Sequence, residues 1–268
     1  MNNIRLVAVD EDGTFLRDHA HYDTARFERI FKRMQGLGVR FVVATGNQCY
    51  QVMDLFRAYT HKMGIVSANG AYVLDGGREV FAARASDEAV RRMIDVCHHN
   101  RDIPFSMLGV GGAYIERGAP QEFFDDTARY CHRLTWVDDF CEVDDQLFMF
   151  STVVPEPRLD VCMDLVRNAV AGLMDVVSSG EGYFDVVCPG VSKALGLQHL
   201  LDLWGIDPKD CIAFGDSCND LEMLRMVGCG YAMANAPLSI QAAADRVAPP
   251  CTEDGVLQVL EHIFGAEA

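Results

Sequence analysis

The chain has 268 residues, half of them apolar, so it is long enough to bury a sizeable core and disorder is not its default state. With 23 Lys and Arg against 39 Asp and Glu, its net charge of −16 offers no footprint for a phosphate backbone or an anionic membrane, which sets nucleic-acid and membrane partners aside. Its longest apolar runs, such as Phe148 to Pro155, fall short of the roughly 18 to 20 residues a membrane span needs.

Taken in chain order, the start carries Arg5 and then Asp10 to Asp12, without the apolar core and cleavage site of a signal peptide, so a cytoplasmic location is expected. Ile4 to Val9 is a β-rich run ending in acid and glycine, the pattern of a buried parallel strand feeding a functional loop. Asp23 is the N-cap expected for a helix with Phe27, Ile30, Phe31 and Met34 at helical spacing, stopped by Gly36 and Gly38. Val39 to Ala44 is the next buried strand, which completes a right-handed βαβ unit. A helix over Gln48 to Phe56, a strand over Gly64 to Ser67, and a hairpin of Ala71 to Leu74 with Glu79 to Phe81 follow.

After Ala83 the rhythm changes. Ser86 caps a helix carrying Val90, Met93, Ile94 and Cys97, where the adjacent His98 and His99 point different ways. An acidic helix near Gln121 to Arg133, a strand Leu147 to Val154 and an amphipathic helix through Val161, Leu165, Val166 and Val170 complete a second α+β domain, Arg84 to Cys188. From Ser192 the α/β rhythm returns with a helix to Trp204, a strand Cys211 to Phe214 and a helix from about Asn219 to Met226. The order predicts an α/β fold: a doubly wound parallel-sheet core of residues 1–83 and 189–268, interrupted by a cap of residues 84–188. The ten cysteines are scattered without a C-x-x-C pair, which fits reduced thiols rather than a disulfide framework or a cysteine metal site.

Three loops bearing acids or hydroxyls follow three of the strands: Asp10 to Thr14, Thr45 with Gly46, and Gly215 to Asp220. In open parallel sheets ligands bind outside the carboxyl ends of the strands, so these loops are expected to meet in one crevice. Asp10, Asp12, Asp216 and Asp220 crowded together demand a cation, and oxygen ligands with no His or Cys nearby favour Mg2+. Lys193 and Thr45 add a positive charge and a hydroxyl of the kind phosphates use.

These residues resemble the haloacid dehalogenase superfamily of phosphatases, in its Cof-type branch. The matches are VDEDGT at Val9 to Thr14, ATG at Ala44 to Gly46, NGA at Asn69 to Ala71, GVSK at Gly190 to Lys193, GDSCND at Gly215 to Asp220, AMANA at Ala232 to Ala236 and EDGV at Glu253 to Val256. Asn47 stands where most Cof-type members have Arg, a departure that, with DGTFL at Asp12 to Leu16 and PGVSKALG at Pro189 to Gly196, looks like the bacterial sugar-phosphatase subgroup. Ala194 replaces the usual Gly, and Glu11 stands where an apolar residue is common.

The resemblance implies hydrolysis of a small phosphate monoester, a sugar phosphate above all, by a monomer or small homo-oligomer. Asp10 would attack phosphorus to give an aspartyl phosphate, and Asp12 would serve as general acid and base. Asp10, the Asp12 carbonyl and Asp216 would hold Mg2+, with Asp220 orienting that shell, while Thr45, Gly46, Lys193 and Asn219 hold phosphoryl oxygens. Asn47 and Asp185 are candidates for contacts to substrate hydroxyls. Two alternatives stay open: a phosphoryl-accepting, Mg2+-binding regulatory protein, and a sugar-phosphate mutase.

Overall fold

In the computed structural model, which describes residues 4–18, 20–180 and 182–265, the first apolar run forms β1 (Leu6–Val9), buried along its whole length. Such a strand must sit between two layers, because successive side chains point to opposite faces. Val7 and Val9 join one core cluster with Phe27, Phe31 and Leu260, whereas Leu6 and Ala8 join another with Leu197, Leu200 and Met223.

The chain continues through α1 (Thr24–Gly36), β2 (Arg40–Ala44), α2 (Cys49–Leu55), β3 (Gly64–Ser67), β4 (Tyr72–Asp75) and β5 (Arg78–Ala82). It then leaves this sheet for α3 (Asp87–His99), β6 (Ser106–Gly109), β7 (Ala113–Glu116), α4 (Gln121–Thr127), β8 (Leu134–Val137), β9 (Leu147–Val153), α5 (Glu156–Ala169), β10 (Asp175–Gly180) and β11 (Tyr183–Val187). It returns with α6 (Lys193–Trp204), β12 (Cys211–Gly215), α7 (Leu221–Met226), β13 (Cys229–Met233), α8 (Leu238–Gln241), β14 (Arg246–Ala248) and α9 (Gly255–Phe264).

The first sheet has eight strands in the order β14-β13-β12-β1-β2-β3-β4-β5, parallel from β14 to β3 and antiparallel through β4 and β5. With α1 and α9 on one face and α6 and α7 on the other, it is the doubly wound α/β core that the element order implies. The second sheet has six strands, β10-β11-β9-β6-β7-β8, antiparallel except where β7 meets β8. No helix among the described residues is long and apolar enough to cross a membrane.

Local signals in the sequence account for many element ends. The Asp23 side chain accepts the Arg26 N–H at 2.9 Å to cap α1, and the Ser86 hydroxyl accepts the Ala89 N–H at 3.2 Å to cap α3. Tertiary bonds override the pattern elsewhere. The acidic helix expected to reach Arg133 ends at Thr127, because the Tyr130 carbonyl accepts the Gln48 N–H and the Gln48 side-chain oxygen accepts the Arg133 N–H, drawing the chain onto α2. On α5 the buried positions are Cys162, Met163 and Val166, whereas Val161 is 70% exposed, so the apolar face is rotated from the expected one.

Phe27 centres an aromatic cluster on one face of the first sheet, with ring centroids 5.1 to 5.9 Å from Phe15, Tyr22, Phe31, Phe41, Phe56 and Tyr59. Phe15 follows the first acidic loop directly, so this packing also anchors that loop. Phe27→Ala is expected to cost about 3 to 5 kcal/mol, seen as a lower urea midpoint at unchanged m-value.

In the second sheet, Glu116 accepts the Phe140 N–H at 2.8 Å, lies 2.8 Å from His98 Nε2 and pairs with Arg101. Burial alone would raise its carboxyl, but the Phe140 N–H, His98 and Arg101 together bring it below the ordinary glutamate value. A depressed carboxyl stabilises the fold above its unfolded value, and the contribution is lost as pH falls through the folded one. Glu116→Gln should therefore lower Tm at pH 7 by the equivalent of about 1 to 3 kcal/mol, with the gap to wild type closing as the pH is taken down towards 3.

Candidate active site

Because β12, β1 and β2 are adjacent and parallel, with Val9 opposite both Phe214 and Val43, their carboxyl ends lie side by side. The loops carrying Asp10 and Asp12, Thr45 to Asn47, and Asp216 to Asp220 therefore share one rim, and α6 delivers Lys193 to it from below. Ser192 caps α6, its hydroxyl accepting the Leu195 N–H at 3.3 Å, which makes Lys193 the first helical residue. Helix α6 comes this close because Gly196 packs directly on Gly70; a Cβ at position 196 would overlap Val66 Cγ1 and stand 2.9 Å from the Gly70 Cα.

At the centre, Lys193 Nζ donates to Asp10 Oδ1 at 2.6 Å and to Asp220 Oδ1 at 2.7 Å, with all three side chains buried. The other oxygen of Asp220 accepts the Asp216 and Ser217 N–H groups, each at 3.0 Å, so Asp220 folds the loop after β12 around Lys193. Thr14 Oγ1 donates to Asp216 Oδ1 at 3.0 Å. Gly13, at φ +75°, lets the first loop turn tightly over Asp216, whose carboxylate occupies the space a Cβ there would need. Thr45 is buried, and its hydroxyl oxygen accepts the Asn47 N–H at 3.0 Å. Asn47 Nδ2 in turn donates to Asp12 Oδ2 at 2.8 Å and lies 3.4 Å from Glu11 Oε2.

Burial raises the Asp10 carboxyl well above its ordinary value, with Asp220 and Asp216 adding to the rise and Lys193 opposing it. Burial and the Asp220 charge push Asp216 up to about 6. Burial alone would lower the Lys193 ammonium, but Asp10 and Asp220 hold it raised. Glu11, fully buried beside Asp12, is pushed up to about 8 by burial first and the Asp12 charge second, which favours its neutral form.

Carboxylate oxygens of Asp10, Asp216 and Asp220 lie within 4.8 Å of one another. Two buried carboxylates and the partly buried Asp216 share one ammonium, so negative charge exceeds positive at this point, and burial with the mutual repulsion raises the Asp10 and Asp216 carboxyls. Such an all-oxygen, under-neutralised site fits a hard divalent cation. The second such cluster among the described residues, His98 with Glu116 and Asp139, already has Arg101 paired to Glu116.

These groups open into a cavity of about 420 Å3 whose far side is the second sheet. Ser106, Ser151 and Asp185 form one row across β6, β9 and β11, since Ser151 is registered with both of the others. Leu108 and Met149 form the next row, and Phe123, Tyr130 and Tyr183 supply an aromatic wall. Of the candidates read from the sequence, Asp10, Asp12, Thr45, Gly46, Asn47, Asp185, Lys193, Asp216 and Asn219 all line this cavity, whereas Asp220 lies behind Lys193.

Asn69 was not singled out for a site role in the sequence. It is buried at φ 55°, donates from Nδ2 to Asp185 Oδ2 at 2.8 Å and accepts at Oδ1 from Asn219 Nδ2 at 2.9 Å, tying the second sheet to the loop after β12. Its sequence signals are Asn before Gly after a strand, which reads equally well as an ordinary turn, and the NGA match at Asn69 to Ala71, which assigned it no contact. The Ser106–Ser151 row and the tyrosine wall left no signal, because single serines on strands and tyrosines at a turn and a strand start are common at any partly buried surface.

A family model for haloacid dehalogenase-like hydrolases matches residues 7–260. The 5-amino-6-(5-phospho-D-ribitylamino)uracil phosphatase of Escherichia coli is 35% identical over 266 residues, covering 99% of this chain and 98% of that one. A solved structure from Streptococcus mutans superposes with a TM-score of 0.91 at 29% identity, covering 98% of this chain and all of that one. A subclass IIB sugar phosphatase of the haloacid dehalogenase superfamily, at 21% identity and TM-score 0.82 over 97% of this chain and 98% of its own, shares the fold.

Proposed function

This chain belongs to the haloacid dehalogenase-like hydrolases and is a phosphoric monoester hydrolase, and from that premise we propose that it hydrolyses sugar or polyol monophosphates through an aspartyl phosphate with Mg2+ as cofactor. The observation that carries this reading is Asp10 at the end of β1, held by Lys193 and opening, with Asp12 two residues on, into a hydroxyl-lined cavity.

An Asp10 carboxylate oxygen attacks phosphorus while the bond to the leaving oxygen breaks; the electron pair stays on that oxygen, and Asp12 supplies the proton that makes it a neutral alcohol. In the second half a water oxygen attacks the same phosphorus, Asp12 takes its proton, and Asp10 is returned as a carboxylate with release of phosphate. Lys193, Thr45, the Gly46 N–H and Asn219 hold phosphoryl oxygens. Asp10, Asp216 and the Asp12 carbonyl would hold Mg2+, with Asp220 setting the loop that presents Asp216; when bound, the ion neutralises charge on the phosphoryl oxygens. Residues 84–188 serve as the substrate lid on a core of residues 1–83 and 189–268; of these, 1–3, 19, 181 and 266–268 lie outside the described residues.

The cavity also bears on the leaving group. Among the described residues lining it, Lys193 is the only cation, while Asp10, Asp12, Asp185 and Asp216 are acidic. One phosphate is matched there and a second anion is not. The Ser106, Ser151 and Asp185 row suits hydroxyls, and the aromatic wall suits a sugar face or a planar base, as in the phosphoribitylamino-uracil that names the Escherichia coli relative's activity. Phosphate release from hexose, pentose and ribitylamino-uracil phosphates, with Mg2+ or with EDTA, tests the reading; release that persists in EDTA, or none with Mg2+, would overturn it. With phosphoglycolate and sugar bisphosphates added to the panel, kcat/KM for monophosphates of neutral sugars is expected to exceed that for either by at least about tenfold.

A further inference from the structure

Asn47 lines the catalytic cavity, yet its amide is turned to the acid rather than left open to solvent. Nδ2 donates to Asp12 Oδ2 at 2.8 Å. The backbone that carries that side chain is fixed on both sides, since the Asn47 N–H donates to Thr45 Oγ1 at 3.0 Å and the Asn47 carbonyl accepts the Ala68 N–H at 3.0 Å. The loop after β2 therefore delivers one neutral donor to one oxygen of the acid/base carboxyl.

Resting on the phosphatase reading above, we propose that Asn47 is a positioning residue for Asp12: its amide, donating to Oδ2, fixes the orientation from which the carboxyl passes a proton to the leaving oxygen. A carboxyl held at one oxygen by an amide N–H loses freedom to turn about its Cβ–Cγ bond, so its proton is presented in a fixed direction. The amide also spaces Asp12 from the neighbouring carboxyl of Glu11, with Oε2 at 3.4 Å from the same nitrogen. An arginine here would set a full positive charge against the acid, whereas an amide orients it without a charge. When the P–O bond breaks, the electron pair goes to the leaving oxygen, the proton moves from the Asp12 carboxyl to that oxygen, and Asp12 remains as a carboxylate still held by Asn47.

A positioning role separates substrates by how much their leaving group needs a proton. For wild type and Asn47→Ala, both with saturating Mg2+, kcat/KM is measured on p-nitrophenyl phosphate, propyl phosphate and a hexose phosphate. The expected loss is about 10- to 100-fold on propyl and hexose phosphates and no more than about threefold on p-nitrophenyl phosphate, whose phenolate departs unprotonated. A loss confined to the hexose phosphate would overturn the proposal in favour of a direct sugar contact, and an equal loss on all three would reduce Asn47 to a structural role. The comparison is a ratio within one preparation, so partial unfolding of the variant scales all three alike. Absence of wild-type turnover on every substrate would overturn the phosphatase reading itself, a result distinct from either of these.

Discussion

Asp10→Asn is expected to lower phosphatase turnover by at least about 10^4-fold while leaving Tm in EDTA no lower than wild type. The two halves of this expectation have one cause. Asp10 is buried against Asp216 and Asp220, and its raised carboxyl means that the ionised form is held at a cost to the fold. An amide has the same shape, removes that repulsion and leaves Lys193 paired with Asp220 at 2.7 Å, but an amide oxygen does not form the acyl phosphate. Thermal unfolding in EDTA and phosphate release with Mg2+, on the same protein, check both halves; turnover near wild type would sink the covalent mechanism.

Lys193→Met should damage both properties together. Removing the ammonium leaves Asp10 and Asp220 buried without their partner, and breaking a buried pair in this way costs about 3 to 5 kcal/mol. The raised Lys193 ammonium gives its stabilisation in full below the ordinary lysine value and loses it only as pH rises through the raised one, so the deficit should be undiminished from pH 6 to 9. Loss of a phosphoryl-oxygen contact should lower kcat by a further factor of about 10^2 to 10^3 in the fraction that remains folded. Denaturant titration and single-turnover kinetics separate the two effects.

The sequence reveals this site largely through short-range grammar. Acid and glycine directly after β1 and β12, Thr-Gly after β2, and Ser-Lys at the head of α6 each need only their neighbours to be read, and the parallel βαβ rule places them together. What stayed hidden depends on partners far along the chain. Asn69 acquires its role from Asp185, 116 positions away, and from Asn219, 150 positions away. The early end of α4 is decided by Gln48, and the rotated face of α5 by which residues the second sheet covers, neither of which helical periodicity encodes. The Asn47 amide looks like a substrate contact in the sequence; only the fold shows it spent on Asp12.

The placement of β1 between β12 and β2 also governs when the protein can work. Leu6 is registered with Cys211, so the strand carrying the nucleophile completes its pairing with a segment from the last quarter of the chain. During synthesis, at about 5 to 20 residues per second, β1 waits with one edge open until β12 has left the ribosome, which is the exposure that favours mispairing and chaperone capture. Recovery of activity on refolding thus requires this long-range closure, and truncation before β12 leaves the nucleophile without the strand that positions it.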